Sequence, residues 1–426
     1  MYRILKSRFA RLAAASATGL VLLAPALPVS PAKAAVSPAI DRSFGAPTPN
    51  ADADPFYTPP SPLPTGNPGD IIRARPALAG PPTARKLANA YQVMYLSTDA
   101  LGQPDAVTGT ILVPKAVDAS TAPVVGFAPG TTGPAFRCTV SRFINSGAFY
   151  EQPAVNDMLK AGYAVAVTDY EGYHENPDTT YITGKSMGPA VLDAVRAAER
   201  LPEAGLSSTP KVLIRGYSQG GGAAMWAGQM APTYAPEQNV IGVSGGGVPA
   251  DLIQVAVKLQ GSDNFGFLLN ALIGLNNAYP ELDLDSYLSS DTAKSTLTNM
   301  NANDCTVELL QNYKGQGAQQ YFTKTPFLQP TWMSRLKENT LGSTPINVPV
   351  FEYHGTQDTI VAYNQGSRLH DQYCALGMNV TWKTYDVGHI TGVARGNPDV
   401  MQFMKDRVAG LPAVSNCPTP TGATTP

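Results

Sequence analysis

The 426-residue sequence predicts an α/β fold with a mostly parallel central sheet and an inserted, largely helical cap. Short β-branched runs alternate with helical patterns along most of the chain, which is typical of a parallel sheet covered by helices on both faces. The interval from about 251 to 344 breaks this alternation with apolar helical segments and Asn-rich connections. We therefore predict an insertion there.

The composition limits the classes of protein to which the chain can belong. A hydrophobic content of 43% at this length allows a large core, which excludes a disordered chain. Charged residues make up 15% of the sequence, and the formal net charge is −2, without a cluster of Lys and Arg. Because phosphate backbones are bound through clustered basic side chains, we expect no nucleic-acid partner.

The first 34 residues have the pattern of a secretory signal peptide. A basic segment up to Arg11 precedes an apolar, Ala-rich stretch from 12 to 27, and Ala32-Lys33-Ala34 provides a small-x-small cleavage site. A membrane anchor is the alternative, but Pro and hydroxyl residues interrupt the stretch, and no later one is long and apolar enough to span a bilayer. We predict cleavage after Ala34 and a secreted protein without a transmembrane segment. Cleavage leaves 25 basic against 32 acidic residues, a net charge of −7.

The composition also suggests the division of the mature chain. Residues 35–68 are rich in Pro, Ala, Ser and Gly, and residues 418–426 have the same character, so both are expected to be extended or mobile ends. The remainder is predicted to form a core from two segments, 69–250 and 345–417, with the cap of residues 251–344 between them.

The predicted core elements follow from local pattern. Each strand is a run of five to seven residues rich in β-branched and aromatic types, and the helices show apolar residues at helical spacing. In chain order they are a hairpin of strands 91–96 and 107–113, strand 123–128, helix 154–161, strand 163–168, helix 188–200, strand 211–215, a cap helix that includes 265–273, strand 348–353, helix 365–375 and strand 380–385.

The four cysteines indicate disulfides. Outside the cytosol thiols persist in oxidised pairs. A zinc site is the alternative, but no two cysteines have C-x2-C spacing, and no His lies at ligand spacing from them, so no metal is expected. Spacing alone leaves three pairings open for Cys138, Cys305, Cys374 and Cys417.

A Gly-x-Ser-x-Gly motif, Gly216-Tyr217-Ser218-Gln219-Gly220, lies between the predicted strand 211–215 and a segment that can begin a helix. This is the context of a nucleophile elbow, in which a sharp, strained turn exposes the serine hydroxyl and small neighbours prevent clashes. The backbone N–H of Gln219 at the helix N-terminus can donate to a developing oxyanion. A plain Gly-rich turn is the alternative, and the flanking strand and helix favour the elbow.

A serine nucleophile needs a base, and the chain has four histidines. In a fold with such an elbow, the acid and the base follow the serine in chain order, each after a late strand. His389 follows strand 380–385 and is the predicted base. His174 precedes the serine, His370 falls within a helical pattern, and His354 is interpreted as a structural neighbour of the acid loop.

Asp358 is the predicted acid, because it follows the strand that precedes the last helix–strand pair. A carboxylate there can hold the imidazole of the base in one tautomer and stabilise its cation. Asp371, within the intervening helix, and Asp386, very close to the histidine in sequence, are interpreted as solvated. The sequence therefore predicts Ser218, Asp358 and His389 as catalytic residues.

With these motifs in place, the chain resembles the secretory lipase family of α/β-hydrolases, of the yeast lipase A type, from about Asp54 to Cys417. Besides the elbow and the two loops of the acid and base, the resemblance is carried by four segments: Asp54-Pro55-Phe56-Tyr57, Pro68-Gly69-Asp70-Ile71-Ile72, Thr168-Asp169-Tyr170-Glu171-Gly172 and Tyr234-Ala235-Pro236-Glu237.

The resemblance adds three expectations. It implies that the backbone N–H of Asp169 is the second oxyanion donor beside that of Gln219. It implies disulfides Cys138–Cys305 and Cys374–Cys417. It also implies an α/β-hydrolase fold and ester hydrolysis, whereas the cap segment matches the family poorly and leaves acyl preference and lid motion open.

The sequence thus predicts a secreted serine hydrolase of carboxylic esters, foremost a triacylglycerol lipase that forms an acyl-enzyme. A short-chain carboxylesterase or an envelope acyltransferase with the same machinery is an alternative, and a catalytically silent binding module is an alternative of a different class. The expected partner is a lipid or ester substrate, with transient contact to a lipid interface. No cofactor is expected, because the sequence contains neither a P-loop nor a dinucleotide-binding fingerprint.

Overall fold

Nine strands form one mixed sheet in the computed structural model, which describes residues 37–48 and 53–418. The predicted signal peptide and residues 419–426 of the predicted tail lie outside the described residues. The strands are β1 Ile71–Ala77, β2 Ala88–Thr98, β3 Pro104–Pro114, β4 Val124–Ala128, β5 Ala164–Thr168, β6 Lys211–Tyr217, β7 Asn239–Gly246, β8 Val350–Gly355 and β9 Val380–Tyr385.

Helices connect and cover these strands. They are α1 Pro82–Arg85, α2 Val140–Ser146, α3 Gln152–Lys160, α4 Gly184–Arg200, α5 Gln219–Tyr234, α6 Leu252–Leu259, α7 Phe265–Ala278, α8 Asp291–Asn303, α9 Thr306–Asn312, α10 Pro330–Glu338, α11 Tyr363–Ala375 and α12 His389–Val408.

The strand order is β1-β2-β3-β5-β4-β6-β7-β8-β9. The first three strands form an antiparallel meander, β3 pairs antiparallel with β5, and every pairing from β5 across to β9 is parallel. Strands β4 and β5 are buried along their whole length, as expected of parallel strands covered on both faces. The carboxyl ends of the parallel strands meet at one edge of the sheet, where ligand-binding loops of such folds collect.

Two layers of helices enclose the sheet. The apolar sides of α4, α5 and α11 pack on one face, and those of α2, α3 and α12 pack on the other. Helices α6 to α10 lie in the predicted cap interval and have their own hydrophobic cluster, which includes Phe265, Leu269 and Trp332. The described residues of core and cap belong to one compact unit. The predicted α/β-hydrolase architecture with a helical insertion is confirmed.

Several elements differ from the sequence prediction. Strands β1 and β7 and helix α2 were not predicted, and α4 begins at Gly184 rather than 188. The Pro-rich N-terminal segment was expected to be extended or mobile, but Phe56 and Tyr57 are fully buried, and Asp54 forms a 2.6 Å ion pair with Arg75 of β1. Within the described residues, no helix has the length and apolar character needed to cross a membrane.

Candidate active site

The Gly-x-Ser-x-Gly motif forms a sharp turn between β6 and α5. Ser218 has φ +59° and ψ −122°, a backbone conformation that residues other than glycine rarely adopt. A Cβ on Gly216 would lie 2.1 Å from the carbonyl oxygen of Gly220, and a Cβ on Gly220 would lie 2.0 Å from that of Ala128. The two glycines are therefore required by close backbone approach, and the strained serine is held at the carboxyl edge of the sheet.

Three side chains that are far apart in sequence meet at this turn. The Nε2 atom of His389 lies 2.8 Å from the Oγ atom of Ser218, and its Nδ1 atom lies 2.5 Å from an Oδ atom of Asp358. His389 is the first residue of α12, and Asp358 lies in the loop after β8. Both side chains are buried, so bulk water does not compete for their hydrogen bonds. This geometry allows a proton to pass from the serine hydroxyl to the imidazole.

The Asp358 carboxylate is held by three hydrogen-bond donors and lies close to a second histidine. One oxygen accepts the backbone N–H groups of Ile360 and Val361 at 2.9 and 2.8 Å, and the other lies 3.3 Å from Nε2 of His354 besides its contact with His389. Burial raises the pKa of Asp358, but hydrogen bonds from His354 and His389 and their charges outweigh burial and lower it to about 2. Asp358 is therefore an anion at neutral pH and can stabilise an imidazolium.

The rival residues lie elsewhere. Asp386 accepts a hydrogen bond from Gln357 at 2.8 Å, and Asp371 is exposed. The ring of His370 stacks on a tryptophan, and His174 lies 2.9 Å from the carboxylate of a neighbouring aspartate. Each of these side chains has a local partner or faces solvent.

The structure corrects the oxyanion role expected for Asp169. Its backbone N–H donates to the carbonyl oxygen of Thr108 at 2.8 Å and is therefore used within the sheet. Its carboxylate accepts the N–H of Ser141 at 2.7 Å and the hydroxyl of Thr108 at 2.7 Å. Burial raises the pKa of Asp169 to about 6 against these hydrogen bonds. Asp169 thus fastens the start of α2 to the sheet and does not line the cavity at Ser218.

The loop after β4 lines that cavity instead. Thr131 contacts the same cavity as Ser218 and Gln219. Among the hydrogen bonds of the described residues, none uses the backbone N–H of Thr131 or of Gln219 as donor. Sequence reasoning missed this loop, although Gly130-Thr131-Thr132-Gly133 follows a buried strand after a single proline. That is the place from which α/β-hydrolases supply a second oxyanion donor.

An apolar cavity of about 500 Å³ opens beside Ser218 and His389. Cap helices α6 and α7 supply the largest share of its walls, through residues such as Leu252, Leu268 and Ala271. A cavity of this size with few polar groups is typical of sites that bury a small apolar ligand. Ile390 and Val307 line it and are 65% and 58% exposed, so its mouth presents apolar side chains to solvent.

Both disulfides join the cysteines in the pairing that the resemblance implied. Cys138–Cys305 links the segment before α2 to the cap, and Cys374–Cys417 links α11 to the C-terminal segment. His370 lies close to Cys374 and Cys417, the one grouping in the described residues with the spacing of a metal site. Both sulfurs are in the disulfide and cannot serve as thiolate ligands, so these residues do not suit a metal ion.

Comparisons with known proteins place this geometry in context. The profile of the family described as Secretory lipase matches residues 141–416, more than half of the chain. Lipase 6 of Candida albicans is 29% identical over 392 residues, which cover 85% of this chain and 83% of that protein. The secreted triacylglycerol lipase LIP1 of Malassezia furfur is 28% identical over 382 residues, which cover 85% and 77%.

Solved structures agree in fold. The X-ray structure of Candida antarctica lipase A has a TM-score of 0.77 and 27% identity, with 88% of this chain and 90% of that chain covered. A rice cell wall degrading esterase of Xanthomonas oryzae has a TM-score of 0.67 at 18% identity, over 80% and 99% of the two chains, which shows a shared fold. Because the family profile spans more than half of the sequence, the chain belongs to the secretory lipase family.

Proposed function

We propose that this protein hydrolyses carboxylic esters with medium or long acyl chains, foremost acylglycerols, through an acyl-enzyme on Ser218. The observation that carries the proposal is the 2.8 Å contact between Ser218 and His389, both of which line the apolar cavity. Membership in the secretory lipase family supports ester hydrolysis as the reaction.

Catalysis begins when His389 accepts the proton of Ser218 at Nε2 while Oγ attacks the ester carbonyl carbon. The electron pair of the carbonyl moves onto oxygen, where the N–H groups of Gln219 and Thr131 donate to it. His389 then returns the proton to the leaving alcohol, and the C–O bond breaks. A water molecule then attacks the acyl-enzyme in the same way, with His389 as its base, and the carboxylic acid is released from Ser218. Asp358 holds the imidazole and stabilises its cation throughout.

The cavity determines the acyl portion in this proposal. Each methylene that enters an apolar site gains about 0.8 kcal/mol, so binding favours longer chains until the cavity is full. The exposed Ile390 and Val307 at the mouth would rest against a lipid surface, which brings dissolved enzyme to aggregated substrate. Secretion after cleavage at Ala34 would place the enzyme where such surfaces occur.

A chain-length series of p-nitrophenyl esters and triacylglycerols tests the substrate class. We expect kcat/KM to rise from acetate toward medium or long chains. Ala271→Phe should fill part of the cavity and lower kcat/KM for long chains about tenfold or more, with little change for acetate. The matched control is Ala302→Phe, because Ala302 is exposed on cap helix α8. Activity confined to esters no longer than butyrate would contradict the proposal and favour a short-chain esterase.

A further inference from the structure

The loop that carries Thr131 is held from the core side by a buried carboxyl group. The backbone N–H of Gly130 donates to an Oε atom of Glu151 at 2.8 Å. Glu151 is 3% exposed and precedes α3, on a different segment from the elbow. Gly130 precedes the proposed oxyanion donor directly, so the hydrogen bond fixes the peptide next to the one that would face the substrate.

The same loop is fixed from the cap side by Thr306. Its backbone N–H donates to the carbonyl oxygen of Thr132 at 2.9 Å, and its hydroxyl donates to the carbonyl oxygen of Thr131 at 2.8 Å. These bonds orient the carbonyl oxygens of the loop, whereas Glu151 holds an N–H group. Among the described residues, no group accepts a hydrogen bond from the peptide N–H of Thr131, and Thr131 itself lines the cavity.

The surroundings of Glu151 suit a group that holds the loop without adding a full charge. Burial raises its pKa to about 7, against hydrogen bonds from Gly130 and Tyr150 and the charge of Arg215. An anion beside a developing oxyanion would raise the barrier of the reaction by repulsion. A carboxyl group that is partly protonated near neutral pH keeps an acceptor oxygen for Gly130 and limits this repulsion.

We propose that Glu151 is a positioning residue for ester hydrolysis: by accepting the Gly130 N–H, it fixes the loop that presents the Thr131 N–H to the tetrahedral oxyanion. The inference rests on the proposed function and adds a group that does not touch the substrate. If Glu151 acted only through packing, any side chain of similar shape could replace it. The proposed role requires a hydrogen-bond acceptor at this position.

The test compares Glu151→Leu, which removes the acceptor, with Glu151→Gln, which keeps one. We expect Glu151→Leu to lower kcat about 10- to 100-fold with KM within about threefold, because a displaced donor weakens transition-state binding. Glu151→Gln should recover most of the loss, to within about fivefold of the wild type. The control is Glu199→Leu on α4, since burial also raises the pKa of Glu199 to about 7, and the charges that act on it are those of Arg200, Glu237 and Arg196, which lie outside the loop.

An alkyl trifluoromethyl ketone provides a readout specific to the oxyanion. Ser218 adds to its carbonyl carbon, the serine proton moves to His389, and the hemiketal oxygen carries the negative charge. Its inhibition constant should rise in Glu151→Leu by the factor by which kcat/KM falls. If the leucine variant does not fold, Glu151→Asp replaces it, because the shorter side chain draws the acceptor away from Gly130.

The outcomes separate this inference from the proposed function. Full kcat and unchanged ketone inhibition in a folded Glu151→Leu variant, together with an inactive Ser218→Ala variant, would overturn the positioning role alone. Hydrolysis by Ser218→Ala would overturn both proposals. Equal losses in Glu151→Leu and Glu151→Gln would also contradict the positioning role, since an acceptor is present in the second variant.

Discussion

The imidazole Nδ1 atom of His389 lies 2.5 Å from a carboxylate oxygen of Asp358, although 31 residues separate the two in sequence. The sheet creates this proximity, because β8 and β9 are parallel neighbours and the two residues follow their carboxyl ends. The other oxygen of Asp358 is occupied by two backbone N–H groups, which leaves one oxygen for the imidazole. This arrangement selects the tautomer in which Nε2 faces Ser218 as an acceptor.

Replacement of Asp358 by Asn tests that tautomer selection. The amide oxygen should keep the N–H groups of Ile360 and Val361, which turns the NH₂ group toward His389 and disfavours a proton on Nδ1. We expect kcat to fall about 10⁴-fold with the fold retained. Steady-state kinetics and circular dichroism measure the two quantities. A loss below tenfold would mean that Asp358 does not orient the base.

The elbow glycines should differ sharply in their tolerance of a methyl group. Gly216→Ala and Gly220→Ala bring a Cβ within 2.1 and 2.0 Å of carbonyl oxygens, so we expect loss of activity and a lower free energy of unfolding. Gly222→Ala is the control, since its Cβ would meet nothing nearer than 3.5 Å. That variant should be stabilised by up to about 1 kcal/mol through helix propensity. Equal tolerance of all three in denaturation and activity assays would contradict the described turn.

The stability of the protein should depend on the protonation of Glu151. Its pKa is about 7 in the folded state and about 4.3 when exposed, so its neutral form is favoured by folding. The contribution to stability is full below pH 4 and is lost as pH rises through 7, by up to about 4 kcal/mol. Denaturation between pH 4 and pH 8 measures the free energy of unfolding of the wild type and of Glu151→Gln. The free energy of the wild type should decline relative to that of the variant as the pH rises. A difference in unfolding free energy that stays constant with pH would show that folding does not shift the pKa of Glu151.

The two disulfides should contribute to different properties. Cys138 and Cys305 lie beside the Thr131 loop and its cap contacts, and their bridge spans 167 residues of sequence. Replacing both by Ser should cost about 2–5 kcal/mol and also lower kcat, because the loop loses its tie to the cap. Replacing both Cys374 and Cys417 by Ser should lower the free energy of unfolding with little effect on kcat. Equal effects of the two double variants on kcat would argue against a tie to the site.

The sequence allowed the fold class to be predicted from the alternation of strand and helix patterns, and the family from a resemblance carried by the elbow, the acid and base loops and four further segments. Both predictions are confirmed. Ser218 was predicted from the Gly-x-Ser-x-Gly motif, and Asp358 and His389 were predicted from chain order, which the parallel sheet converts into spatial proximity. Strands β1 and β7 were missed because a proline interrupts the first and glycines dilute the pattern of the second.

The role expected for Asp169 was wrong for a physical reason that no linear pattern contains. The resemblance implied a free backbone N–H at this position, but the antiparallel pairing of β3 with β5 continues to Asp169 and uses that group. Glu151 was missed because a lone carboxylate at a helix start has no motif. Only the folded chain brings it to Gly130.

Covalent labelling of Ser218 is the most direct test of the central claim that the three side chains make this hydroxyl nucleophilic. A fluorophosphonate probe should label the wild type at Ser218 alone, as mapped by peptide mass spectrometry. His389→Ala should label far more slowly, and Ser218→Ala should lose label and about 10⁴-fold or more of kcat on a medium-chain ester. Labelling at another residue, or hydrolysis that persists in Ser218→Ala, would contradict the account.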